Sequence, residues 1–95
     1  RTVAEDRDTV LRYADRDVVA LVMLFNQPRD AAATRELIDA ARAVGGRYDP
    51  PHRPHATPEQ FAAAYPRAWA WFDRKRHDDP AGLFRNRFAD RYAPR

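Results

Sequence analysis

The sequence predicts an α+β fold in which a small sheet is flanked by helices. Three observations carry that expectation. An unbroken apolar run, Val18–Phe25, has the length and β-branched start of a strand. Helix-period apolar stripes lie near residues 30–44, 58–64 and 67–77, with start and stop signals beside them. Between the first and second stripes runs YDPPHRPHATPEQ, a proline-stiffened segment from Tyr48 to Gln60.

Taken in order, Arg1–Arg16 is charged, with apolar side chains only at Val3, Val10, Leu11 and Tyr13 once alanine is set aside; Asp8 is placed to cap a short helical turn. Val18–Phe25 follows, bounded by Asp17 and by Asn26-Gln27-Pro28. A continuous apolar run reads as a strand covered on both faces, which a chain of 95 residues has little material to provide. The expectation is therefore a segment cut from a longer protein. The opening at Arg1, inside charged sequence and without a starting Met, reads the same way.

Asp30 can cap the next helix, whose stripe is Leu37, Ile38, Ala41 and Val44; Gly45-Gly46 supplies its left-handed stop. Tyr48 then begins a second extended segment, giving strand–helix–strand. Proline fixes its own φ and pushes the preceding residue toward extended conformations. Pro50, Pro51 and Pro54 thus make a stiff rod, on which Arg53 and His55, two residues apart, face one side. The rod ends in a capping box, with Thr57 at the cap, Pro58 at the first helical position and Gln60 closing the box. Tyr65, Ala68, Trp69 and Phe72 form the following stripe, and Trp71 falls off it, free to dock elsewhere or to wrap onto a loop. Asp79-Pro80-Ala81-Gly82 has the residue preferences of a type I turn. Leu83, Phe84, Phe88 and Tyr92 come last, interleaved with Arg85, Asn86, Arg87 and Arg91.

Composition narrows the function classes. The absence of cysteine removes disulfides and thiolate metal sites, and nothing points to an oxidising compartment, so a cytoplasmic location is expected. No apolar run approaches the roughly 20 residues that span a membrane. Of 17 basic residues only Lys75 is lysine, and the formal net charge is +3. Arginine binds flat anions in a bidentate fork. The basic residues alternate with acids such as Asp73, Asp78, Asp79 and Asp90, which favours a solvated surface over a nucleic-acid-binding one.

His52, His55 and His77 are the only histidines; His52 and His55 lie three apart in an extended segment and so face opposite sides, and no metal centre is expected. Asp78-Asp79 reads as helix-end and turn chemistry more readily than as an acid/base pair. Serine is absent, so no Ser-His-Asp triad exists, and the three glycines form no phosphate loop. Arg53 with His55 is the pair these residues favour, an arginine on a stiff backbone being suited to developing negative charge.

The stretch GGRYDPPHRPHATPEQFAAAYPRAWAWFDRKRHDDPAGLFRNRF resembles the carboxyl end of FAD-dependent oxidoreductases of the vanillyl-alcohol oxidase type, nearest the aldonolactone and alditol oxidases. The matching pieces are Pro51–His55, Tyr65-Pro66, and Asp79-Pro80 through Phe84 to Asn86; RDVVALVMLFNQ is similar to a strand of that family's cap domain. The family's lysine stands here as Arg53, and its first histidine and tryptophan as Pro50 and Pro51, which leaves the substrate open. The resemblance implies a larger two-domain flavoenzyme with an FAD-binding domain upstream. It implies oxidation of a CH–OH group of a sugar-derived alcohol or aldonolactone, with hydride transfer to flavin and return of electrons to oxygen or another acceptor. Arg53 would then neutralise charge on the flavin, His55 would orient substrate or flavin, and Asn86 would hydrogen-bond near the ring. The segment alone is not expected to turn over. A stand-alone interaction module, docking through Trp71 and the apolar run, and a basic nucleic-acid binder are the other classes these residues leave open.

Overall fold

Among the described residues two short strands and four helices form, in the order β1 (Thr2–Val3), β2 (Val18–Val19), α1 (Ala32–Ala43), α2 (Pro58–Ala64), α3 (Ala68–Asp78) and α4 (Arg87–Tyr92). The structure, a computed structural model, describes residues 1–24, 26, 31–50 and 53–94. The fold is a small α+β domain, as the sequence predicts at that level.

β1 and β2 are antiparallel, with Thr2 opposite Val19 and Val3 opposite Val18. One further pair extends the ladder: the Ala20 amide donates to the Arg1 carbonyl, and the Arg1 ammonium to the Ala20 carbonyl. The expected strand Val18–Phe25 is thus corrected to two residues, Phe25 itself lying outside the described residues. Leu21, Val22, Met23 and Leu24 are exposed, Leu24 to 95 %. A strand persists only where a partner runs beside it, and among the described residues none flanks 21–24. The expected strand from Tyr48 is likewise absent: residues 47–50 have no regular structure. The cap expected of Asp8 belongs to Asp6, whose carboxylate accepts from the Asp8 and Thr9 amides and the Thr9 hydroxyl.

α1 ends in a Schellman motif. Gly45, at φ 77°, donates to the Arg42 carbonyl, and Gly46 donates to the Ala41 carbonyl. A Cβ on Gly46 would lie 3.0 Å from that Ala41 oxygen, a tight contact that favours glycine there. The buried face of α1 differs from the expected stripe. Ile38 is buried and Thr34, Arg35 and Ala41 are half-buried, whereas Leu37 and Val44 face solvent. The expected Asp30 cap lies outside the described residues; Ala31 occupies the cap position of α1 and makes no side-chain cap hydrogen bond.

The capping box of α2 forms as expected. Thr57 Oγ1 accepts from the Gln60 amide at 3.1 Å, and Gln60 Oε1 accepts from the Thr57 amide at 3.0 Å. Gln60 is buried, and its Nε2 donates to the Arg35 carbonyl, so the side chain that closes the cap also ties α2 to α1.

The core is aromatic. Phe61 stacks on Tyr92 with centroids 4.4 Å apart, and Phe72 stacks on Phe88 at 6.1 Å. Phe61 meets Phe88 edge-on at 5.3 Å. Buried Ala56, Ala64, Ala68 and Ala89 let the backbones approach around these rings. On α3 the aromatic assignment is reversed. Trp71 packs edge-on against Phe72 and Phe88, while Trp69 is 44 % exposed. The packed face is Ala68, Trp71 and Phe72, at i, i+3 and i+4.

The turn after α3 closes with a Gly82 amide to Asp79 carbonyl bond of 3.1 Å. The Asp79 side chain, only 8 % exposed, accepts from the Leu83 and Phe84 amides and pairs with Lys75 Nζ at 3.0 Å. Asp78 pairs separately with Arg74. The two neighbouring carboxylates therefore serve the helix end and the turn. By fixing residues 83 and 84, Asp79 aims the chain into α4, a helix the sequence reading left undrawn.

Candidate functional site

The connection from α1 to α2 bends sharply at Pro54. The His55 amide donates to the Arg53 carbonyl at 2.9 Å, closing a three-residue turn about the proline. Proline's fixed φ suits the centre of such a turn. The expected straight rod is corrected accordingly, at least across residues 53–55, while Pro51 and His52 lie outside the described residues.

Two carbonyls just past the bend are held from both sides. Arg35 Nε, on α1, donates to the His55 carbonyl at 3.1 Å. On α4, Arg91 donates through Nε and Nη2, and Tyr92 through its hydroxyl, to the Ala56 carbonyl at 2.9–3.1 Å. Bonds from a charged donor are stronger than neutral ones, so this short segment is fixed relative to both helices.

An open cleft of about 940 Å³ lies beside it. Pro50, Arg53, Pro54 and His55 form one wall, Asn86, Arg87 and Phe88 another, with Trp71 and Leu11 contributing apolar surface. The three residues singled out in the sequence, Arg53, His55 and Asn86, thus line one cleft although 33 positions separate the first from the last. Asn86 also has a structural duty: its Oδ1 accepts from the Ala89 amide at 2.8 Å and caps α4. Its amide nitrogen has no partner among the described residues.

His55 Nε2 is buried without a hydrogen-bond partner. Burial first, and then the charges of Arg53, Arg35 and Arg91, hold its pKa below the usual histidine value, so the ring is neutral at neutral pH. Sequence reasoning missed Arg35, Arg87 and Arg91 as neighbours of the site. For Arg87 and Arg91 the signal was interleaving with aromatic residues in the last stretch, which gives no direction in space, and for Arg35 there was none.

Among the described residues no group of three His, Cys, Asp or Glu side chains is arranged to hold a metal ion. Nor is any described helix long and apolar enough to cross a membrane. Comparison of the chain with protein-family models, with curated proteins and with solved structures returned no match.

Proposed function

We propose that this chain is the carboxyl-terminal, substrate-side part of an FAD-dependent oxidoreductase that oxidises a CH–OH group of a sugar-derived alcohol or aldonolactone. The observation that carries the reading is the convergence of Arg53, His55 and Asn86 on one cleft walled by Trp71 and Phe88. The residues suit a flavin. The Arg53 guanidinium has no carboxylate partner among the described residues, and His55 offers a buried nitrogen with unused hydrogen-bonding capacity. Trp71 and Phe88 give apolar surface of the kind a flat ring needs.

When bound, the flavin supplies the two-electron acceptor; this chain supplies orientation and charge. Arg53 fixes a positive charge at the cleft, where it stabilises negative charge more effectively than a mobile ion in water. His55, kept neutral by burial and three arginines, lines the cleft where it orients a substrate hydroxyl or a flavin edge without adding a further cation. Asn86 can donate from its amide nitrogen while its oxygen holds the start of α4. Trp71 and Phe88 exclude water from one side of the bound group.

The FAD-binding domain and an electron acceptor, oxygen or another, complete the proposed enzyme. The test is expression of the native gene that encodes this chain, followed by denaturation and detection of released flavin. A protein free of flavin, and unable to take it up on reconstitution, refutes the reading. The exposed apolar side chains of Val19 and 21–24 favour one second reading, a protein-interaction module.

A further inference from the structure

The arginines at the cleft differ from most others in this chain. On the outer surfaces, several guanidinium groups are matched to carboxylates: Arg42 with Asp39, Arg74 with Asp78, Arg76 with Asp73 and Arg85 with Asp90. Arg53 and Arg87 line the cleft with no carboxylate partner among the described residues. Behind them, Arg35 and Arg91 spend hydrogen bonds on the His55 and Ala56 carbonyls, which leaves their charges uncompensated. Among the described residues no acidic side chain lines this cleft. Positive charge gathered at a concave surface with apolar walls focuses the field and draws anions in.

We propose that the cleft recognises an oxyanion, a phosphate or carboxylate carried by the sugar-derived substrate, with Arg87 as its principal ligand beside Arg53. The inference rests on the oxidoreductase reading for the role of the ligand, and it narrows that reading from neutral polyols to sugar acids or sugar phosphates. Two guanidinium groups can each present parallel N–H donors to such an anion, which neutral hydroxyls do not match. Arg85, two residues from Arg87 but paired with Asp90, is the built-in control.

The test titrates isotope-labelled chain with glucose 6-phosphate, gluconate, ADP and sorbitol, read by NMR at low salt. Glucose 6-phosphate, gluconate or both should shift the amides of Arg53–His55 and Asn86–Phe88, and sorbitol should not. Arg87→Gln should weaken that binding roughly tenfold, the usual worth of a hydrogen bond to a charged group. Arg85→Gln should leave it unchanged. A second readout does not depend on the variants: bound oxyanion should raise the His55 titration midpoint, because it offsets the charges of Arg53, Arg35 and Arg91 that lower it. Sorbitol shifting the same amides as strongly, no shift from either sugar anion, or equal losses in Arg85→Gln and Arg87→Gln overturns the inference. So does tighter binding of ADP, which would assign the arginines to a cofactor diphosphate. None of these results depends on flavin being released from the native protein, so the two readings fail separately.

Discussion

Replacing Phe61 by alanine removes the ring on which the whole core converges. Phe61 is 1 % exposed and touches four other aromatic side chains: Tyr65, Phe72, Phe88 and Tyr92. Phenylalanine-to-alanine changes at such positions cost about 3–5 kcal/mol through lost transfer energy and the cavity left behind. The stacked pair with Tyr92 belongs at the upper part of that range, since such contacts add about 0.5–1.5 kcal/mol beyond burial. A chain of 95 residues has roughly 5–14 kcal/mol of stability in total. The substitution therefore removes from about a fifth to all of it. In urea melts followed by circular dichroism, the midpoint should fall by roughly 2 M or more for a slope near 1.5 kcal/mol/M. The control is Phe84→Ala, the same chemical change at a ring 78 % exposed, which should stay within about 0.5 kcal/mol. Because Tyr92 holds the Ala56 carbonyl, Phe61→Ala should also broaden the cleft amides that Phe84→Ala leaves sharp. Equal losses in the two variants, or less than about 1 kcal/mol for Phe61→Ala, would refute an aromatic core organised on this ring.

Three further outcomes are expected. In the complete flavoenzyme, Arg53→Ala should slow flavin reduction by roughly a hundredfold, as loss of one preorganised charged donor does, with FAD content near normal and much of the rate restored in Arg53→Lys; stopped-flow reduction at the wild-type rate in the alanine variant would remove Arg53 from the site. His55 should titrate below the ordinary histidine midpoint of about 6.5, so the unfolded chain binds its proton first and stability falls as pH drops from that value to the folded midpoint. His55→Gln should abolish this part of the slope, as pH-dependent urea melts will show. The exposed side chains of Leu21 and Leu24 should bind a hydrophobic dye and promote self-association at micromolar concentration; Leu21→Lys/Leu24→Lys should suppress both, and a dye-silent monomer before substitution would count against the idea.

Some parts of this protein were legible in the sequence because their physics is local. The Thr57–Gln60 box, the Gly45-Gly46 stop and the Asp79–Gly82 turn are each closed by hydrogen bonds spanning at most five residues. Residue type and spacing are then almost the whole argument. Arg53 and His55 were found for a related reason: prolines limit what the backbone between them can do. The bend at Pro54 still changed the expected rod into a turn.

Other features depend on what lies across the fold. Val18–Phe25 has the composition of a buried strand, but a ladder needs a partner, and pairing ends at the Arg1–Ala20 pair. The choice of Trp71 over Trp69 was set by where Phe88 sits, 17 positions later on α4. Asn86 became a helix cap because Asp79 and Lys75 fix the turn before it. The gathering of Arg35, Arg53 and Arg91 about His55 was likewise beyond any periodicity. Three separate segments contribute those charges, and only the packing of α1 and α4 against the bend at Pro54 brings them together.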